Sequence, residues 1–183
     1  MLKKKVEKAI NDQINAELYS AYMYYSMAAY LESLSLKGAA HWMDAQAIEE
    51  MFHASKFATY VSERGGRVLL KAIDAPPTEW KSPLACFEAV AAHEAHVTDL
   101  INKLMALATA ETDYATANML QWFIAEQVEE EATADEVVQK LKLVDRTEGG
   151  LFMVDLELAK RPFKIPPVLA GAMIIGAGAG AGA

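Results

Sequence analysis

The 183-residue chain has a single cysteine, Cys86. One thiol excludes an internal disulfide and every zinc or iron module built on paired cysteines, and it suits a reducing compartment. In "PLACFEAV" it reads as a small core residue rather than a nucleophile. Basic residues are in deficit: 17 Lys and Arg against 25 Asp and Glu leave a formal charge of −8. That balance excludes nucleic acid, whose phosphates need a basic face, and favours cations as partners. The start, "MLKKKVEKAIND", lacks the apolar core of a signal peptide and turns amphipathic at once, so a cytoplasmic location is expected. No charge appears from Ile165 to Ala183, yet half of that stretch is a Gly/Ala repeat and a proline pair opens it. No membrane span is expected there or elsewhere.

What remains is long helical patterning, with little room for strands. The pattern runs without proline from about Lys4 to Leu34, with Ile10, Glu17, Tyr24 and Leu31 in one column seven residues apart. A second helix is expected from about Gly38 to Arg64, stopped by Gly65-Gly66. A third starts at Ser82-Pro83, a cap followed by proline at the first helical position, and reaches about Ala110. A fourth follows a cap at Thr112 or Asp113 and reaches about Val144, and a short fifth covers Leu151 to Leu158. Helices one and two, and three and four, are joined by a few residues, which makes two antiparallel hairpins. The segment "GGRVLLKAIDAPPTEWKS" between them is long enough to cross the length of a bundle. An all-α four-helix bundle over residues 1–160 is expected, followed by an apolar Pro then Gly/Ala-rich tail over 161–183.

The helices repeat, and the repeat carries chemistry. From Glu17 to Glu50 is 33 residues (50 − 17) and to His53 is 36 (53 − 17). From Glu94 to Gln127 is again 33 (127 − 94) and to Glu130 again 36 (130 − 94). Five of the six sit in columns otherwise apolar, as Glu50 follows Met43 and precedes Phe57 and Glu130 follows Phe123 and precedes Val137, while His53 lies between Gln46 and Tyr60. Carboxylates facing one interior as bare anions would suffer desolvation and mutual repulsion, or be forced to take up protons. Two divalent cations remove the conflict and suit an oxygen-plus-imidazole donor set. The established plan of di-iron carboxylate bundles has one Glu from each of two helices and Glu-x-x-His from each of the others. This chain keeps Glu50-x-x-His53 but has Gln127-x-x-Glu130, so two unequal positions are expected. Glu17, Glu50 and His53 would form the stronger one, and Glu94, Glu130 and shared Glu50 a looser one beside Gln127.

With "NAELYSAYMYYSMAAY", "QAIEEMFHA", "HEAHVT", "LQWFIAEQVEEEA" and "LFMVDLELAK" in this order, the chain resembles the non-haem bacterial and archaeal ferritins over roughly residues 1–160. The resemblance implies a ferritin-like bundle, a cage of 24 subunits, oxidation of Fe(II) by O₂ or H₂O₂ at a di-iron centre, and ferric mineral stored inside. It also implies a third iron site on Glu49, Glu126, Glu129 and Glu130. The repeat independently pairs Glu49 with Glu126 at the same offset of 77 (126 − 49). Tyr24 and Trp122 are aromatics close enough in related ferritins to donate electrons, and equally fit a core. Glu131 reads as part of a solvated face.

Two alternatives belong beside this reading. Glu50-Met51-Phe52-His53 resembles the segment of bacterioferritin in which a methionine ligates haem, but that family ends its second half in Glu-x-x-His, where this chain has Glu130. No haem is expected. The buried sites could instead hold manganese or zinc in a structural role, since ligand types alone do not separate these from iron. His93 and His96 flank Glu94 on other faces and suit a surface or interface. His41, beside Trp42, is ambiguous. The tail departs from the family pattern and is expected to be a simple flexible end, to lie inside the cage or gather near a symmetry axis, or to serve as a targeting address.

Overall fold

The computed structural model describes residues 2–145 and 147–163. Five helices follow in order: α1 Lys4–Ser33, α2 Lys37–Glu63, α3 Pro83–Ala110, α4 Tyr114–Val144 and α5 Gly150–Leu158. Among the described residues there is no strand. α1 packs along α2 and α3 along α4, with α1 also meeting α3, and α5 lies against α2 and α4. The expected bundle of two hairpins and a short fifth helix is what forms.

Local chemistry sets the helix ends. Ser82 Oγ accepts from Ala85 N–H at 3.1 Å, with Pro83 at the first helical position. At the α3–α4 corner the two candidate caps divide the work. Asp113 caps α4, accepting from Thr116 N–H at 3.3 Å, while Thr112 sits at φ +54° and closes α3. Left-handed geometry at a β-branched residue is strained, yet it lets Asp113 N–H reach Ala108 O at 2.9 Å. Arg64 at the end of α2 pairs with Asp113 at 3.0 Å and ties the hairpins together at this end.

The crossover is a strap sewn along α1. Near its start, Glu7 Oε1 accepts from Arg67 N–H at 2.9 Å and Asn11 Oδ1 from Leu69 N–H at 2.6 Å. Near its end, Ser26 Oγ donates to Pro77 O at 2.5 Å and Tyr30 OH to Trp80 O at 2.8 Å. The chain is thereby carried from one end of the bundle to the other, so α3 begins beside the start of α2.

α2 has no capping side chain of its own. Asp155 of α5 supplies one, its Oδ1 accepting from Ala39 N–H at 2.8 Å. The two backbones meet so closely that a Cβ on Gly38 would lie 1.8 Å from Asp155 O.

The core is split. One apolar cluster gathers Tyr24, Met27, Leu31, Met43, Phe87, Val90, Val137 and Leu141; the other gathers Val6, Ile10, Phe57, Val61, Ile101, Leu120 and Phe123. Between them, across all four long helices, runs a polar belt.

Candidate metal centre

Each long helix gives the belt a side chain from a column that is apolar above and below. Glu17 comes from α1, Glu50 and His53 from α2, Glu94 from α3, and Gln127 and Glu130 from α4; all six are buried. Because i and i+3 share a face, Glu50 and His53 point the same way, with His53 Nδ1 3.5 Å from Glu50 Oε2. One donor atom each from Glu17, Glu50 and His53 lie within 4.8 Å of one another. No other set of three or more acids, histidines or cysteines comes together so closely among the described residues.

Neutral donors hold the belt acids in place. Gln13 Nε2 donates to Glu17 Oε1 at 2.9 Å, and Gln46 Nε2 to Glu130 Oε2 at 2.8 Å. Glu94 receives Tyr24 OH on Oε1 and Gln127 Nε2 on Oε2, the latter at 3.3 Å. Glu17 Oε2 and Glu50 Oε2 are buried with no amide, amine or hydroxyl donor in reach, so the hydrogen bond open to this pair is a proton shared between the two carboxyls. Two such carboxylate oxygens facing an imidazole nitrogen form an arrangement that a cation satisfies and that is costly without one. Oxygen and imidazole donors fit Fe(II), and equally Mn(II) or Zn(II).

Electrostatics agree with the geometry. Desolvation, then the Glu50 charge, pushes Glu17 up to about 8. Desolvation, then Glu94 and Glu49, pushes Glu130 up to about 7, against the hydrogen bond from Gln46. Glu50 is raised well above the usual carboxylate range by desolvation, Glu94 and Glu130. Burial also raises Glu94, opposed by its bonds from Tyr24 and Gln127. Without a cation, Glu17 keeps its proton at neutral pH and Glu130 keeps its own until about neutral.

The surroundings of the belt are aromatic. Trp122 stands edge-on to His53 with ring centroids 5.5 Å apart, and Lys56 Nζ lies 3.8 Å from the Trp122 ring centre. Tyr24 is fully buried, its hydroxyl pinned on Glu94. His93, expected at a surface or interface, turns partly inward. Its ring meets Tyr24 at 6.3 Å, and its Nε2 donates to Ser20 Oγ at 2.8 Å, since that hydroxyl already donates to Ala16 O. Desolvation, then His96, lowers its pKa to about 4. Cys86 is buried and pushed up to about 12 by desolvation, an unreactive thiol.

The residues expected at a third site differ in exposure, and Glu49 lies near enough to Glu130 to help raise its pKa. Glu49 is buried and paired with Arg161 at 2.5 Å, Glu126 is half-buried, and Glu129 is exposed. Glu131 accepts from Thr98 Oγ1 at the rim of a groove of about 530 Å³ between α3 and α4 that has Gln127 in its wall. Met51 is exposed on α2, away from the belt. Sequence reasoning missed Gln13, Gln46 and Arg161. Gln46 stood one heptad before His53 and so was visible as a belt neighbour. Arg161 gave no periodic signal at all.

The family model for the ferritin-like domain matches residues 7–144. A bacterial non-heme ferritin from Bacteroides fragilis is 45% identical over 161 residues, covering 88% of this chain and 100% of the relative. The chain belongs to the ferritin family. Another bacterial non-heme ferritin, from Campylobacter jejuni, is 41% identical over 155 residues, covering 85% of this chain and 93% of that one. Among solved structures, an open pore ferritin from the archaeon Archaeoglobus fulgidus superposes with a TM-score of 0.87 at 51% identity, covering 88% of this chain and 100% of its own.

Proposed function

We propose that this ferritin-family chain stores iron by oxidising Fe(II) at the belt and passing the ferric product to a cavity enclosed by many copies of itself. The observation that carries the reading is the pair of buried oxygens, Glu17 Oε2 and Glu50 Oε2, that no amide, amine or hydroxyl reaches, set against His53. Iron storage is the function that ferritin relatives bring, and the non-haem naming of those relatives weighs against the haem-binding alternative.

Fe(II) is the substrate, drawn by an acidic surface. Glu17, Glu50 and His53 take one ion. Glu94, Glu130 and shared Glu50 take another beside Gln127, with weaker ligation because Glu130 stands where the template has a histidine. As ions enter, Glu17 and Glu130 give up the protons that burial had kept on them. Each Fe(II) loses one electron; O₂ accepts both with two protons to give H₂O₂, or H₂O₂ accepts both with two protons to give two waters. Hard anionic oxygens favour the higher charge and so drive the oxidation. Gln13 and Gln46 keep Glu17 and Glu130 aimed throughout. Tyr24, hydrogen-bonded to Glu94, holds that carboxylate in place at the weaker position.

Relatives of this kind form oligomers, and this subunit carries apolar area to bury in one. Tyr22 and Tyr25 of α1, Leu69, Leu70 and Ile73 of the strap, and Phe152 and Met153 of α5 are all exposed. A 24-subunit cage would weigh 480 kDa (24 × 20.0), which a mass measurement reads directly. No described helix is long and apolar enough to cross a membrane, and a cytoplasmic cage is proposed. The decisive experiment is rapid mixing of metal-free protein with Fe(II) in air at two irons per subunit, beside Glu50→Ala/His53→Ala. A fast visible transient followed by ferric absorbance, absent from the double variant, is expected. Matched slow traces would refute the ferroxidase and leave the belt to another metal.

A further inference from the structure

Gln46 stands about one turn before Glu50 on α2 and is completely buried. Its two polar atoms face opposite partners. Nε2 donates to Glu130 Oε2 at 2.8 Å, and Oε1 accepts from Arg161 Nη2. A primary amide can turn over and exchange its oxygen for its nitrogen with little change of shape, so its neighbours decide which way it lies. Here a guanidinium decides, because it can donate and cannot accept. The donor end of Gln46 is thereby left for Glu130. Turned over, the amide would set its oxygen against a carboxylate and its N–H₂ against a cation, in a place closed to solvent. Arg161 is itself fixed from several sides. It follows α5; its N–H donates to Leu158 O at 3.2 Å, and its carbonyl accepts from His41 Nε2 at 2.8 Å. The guanidinium lies over Trp42 at 4.5 Å, and the Nη2 that holds Gln46 also donates to Glu49 Oε2 at 2.5 Å. A residue beyond the last helix thus reaches inward and ends one amide away from the belt.

We infer that Arg161 is a positioning residue for the weaker metal position: it fixes the Gln46 amide in the one orientation that donates to Glu130. The inference rests on the reading of the belt as a two-ion centre and adds what makes its weaker half competent. Gln46 holds one oxygen of Glu130 and so sets how that carboxylate meets an ion. Glu17 takes the matching bond from Gln13, four residues away on its own helix, and needs nothing from outside the bundle. The two positions therefore differ in support as well as in ligands. The stronger rests on a local contact, whereas the weaker depends on a contact between residues 115 apart in sequence.

The test uses the metal-free full-length protein and Zn(II), which carries no redox chemistry, titrated calorimetrically to two ions per subunit at fixed pH. Wild type is expected to bind one ion tightly and a second more weakly, and Glu130→Ala marks the second by losing it. Arg161→Met keeps a stem over Trp42 and removes the donors; it should weaken the second ion about tenfold and leave the first unchanged. Arg161→Lys, again able only to donate, should recover most of that loss. Gln46→Met should weaken the second ion by the same factor, and adding Arg161→Met to it should change nothing further. A second ion unchanged in either single variant would overturn the inference, as would an Arg161→Lys no better than Arg161→Met. Losses that multiply in the double variant, or equal weakening of both ions, would also overturn it, since a residue that merely fastens α5 to α2 acts in that way. Two ions that survive Glu50→Ala/His53→Ala would instead sink the underlying reading of the belt, and this inference with it.

Discussion

Replacing Glu50 by glutamine should stabilise the metal-free protein while destroying its response to metal. Glu50 is 1% exposed, its Oε2 has no amide, amine or hydroxyl donor in reach, and Glu17, Glu94 and Glu130 surround it. The sign follows from proton counting. The raised pKa values of Glu17, Glu50 and Glu130 mean that the folded state keeps protons the unfolded chain has already lost, from the ordinary carboxylate value of 4.5 upward. Stability therefore falls as pH rises through that window, by at most about 1.4 kcal/mol per pH unit for each such group. Glutamine removes one of these groups and brings an amide N–H₂ that the neighbouring carboxylates can accept. From pH 5 to pH 8 the ceiling on the gain is about 4 kcal/mol, and with relaxation of the site about 2 kcal/mol is expected. For a domain of this size that is roughly 4–8 °C in Tm at pH 8, with little difference at pH 5. Thermal unfolding followed by far-UV circular dichroism, in chelator, reads both. Excess Zn(II) at pH 8 should then raise the midpoint of wild type and leave Glu50→Gln nearly unmoved. Equal losses of stability from pH 5 to pH 8 in the two proteins would refute the reasoning.

Other expectations follow from the same geometry. Loading metal-free protein with Zn(II) at pH 6.5 in weak buffer should release protons, about one to three per pair of ions, because Glu17, Glu50 and Glu130 are all raised; a pH-stat trace showing none would contradict the protonated belt. Glu130→Ala should slow Fe(II) oxidation more than Glu129→Ala, since Glu130 is buried in the belt and Glu129 is exposed, and stopped-flow absorbance separates them. Thr112→Gly should raise stability by about 1 kcal/mol by relieving the left-handed β-branched residue, measured by denaturant unfolding. Asp113→Ala removes the α4 cap and the partner of Arg64 together and should cost about 1–2 kcal/mol.

Most of the scaffold was legible because its signals are local. Seven-residue columns mark helices, Ser82-Pro83 and Gly65-Gly66 mark their limits, and the observed ends fall within a residue or two of the expected ones. The six belt residues were legible for a different reason: polar side chains, five of them in apolar columns, repeated at matching intervals, leave few places to go. What could not be read depends on contacts far apart in sequence. The cap that Asp155 provides for α2 spans 116 residues, and the bond from Arg161 to Glu49 spans 112. Neither leaves a period or a spacing to find. Arg161, Pro162 and Phe163 were assigned to the tail by composition, yet Arg161 and Phe163 lie on α2, at Trp42, Gln46 and Glu49 for the first and His41 for the second. The remaining tail, with its expected place in a cage, lies outside the described residues.

The division of the core into two apolar clusters by a polar belt bears on how the bundle opens. Hydrophobic contact welds each end of the bundle to itself, but across the middle the four helices are joined by amides, a phenol and acids that repel. The two ends should behave as separate foldons in native-state hydrogen exchange when no cation is present, with the weakest protection at the waist. Cations bound there would lock the foldons into one cooperative unit. The cargo would then act as a rivet, and a loaded subunit would resist local opening in a way that an empty one does not.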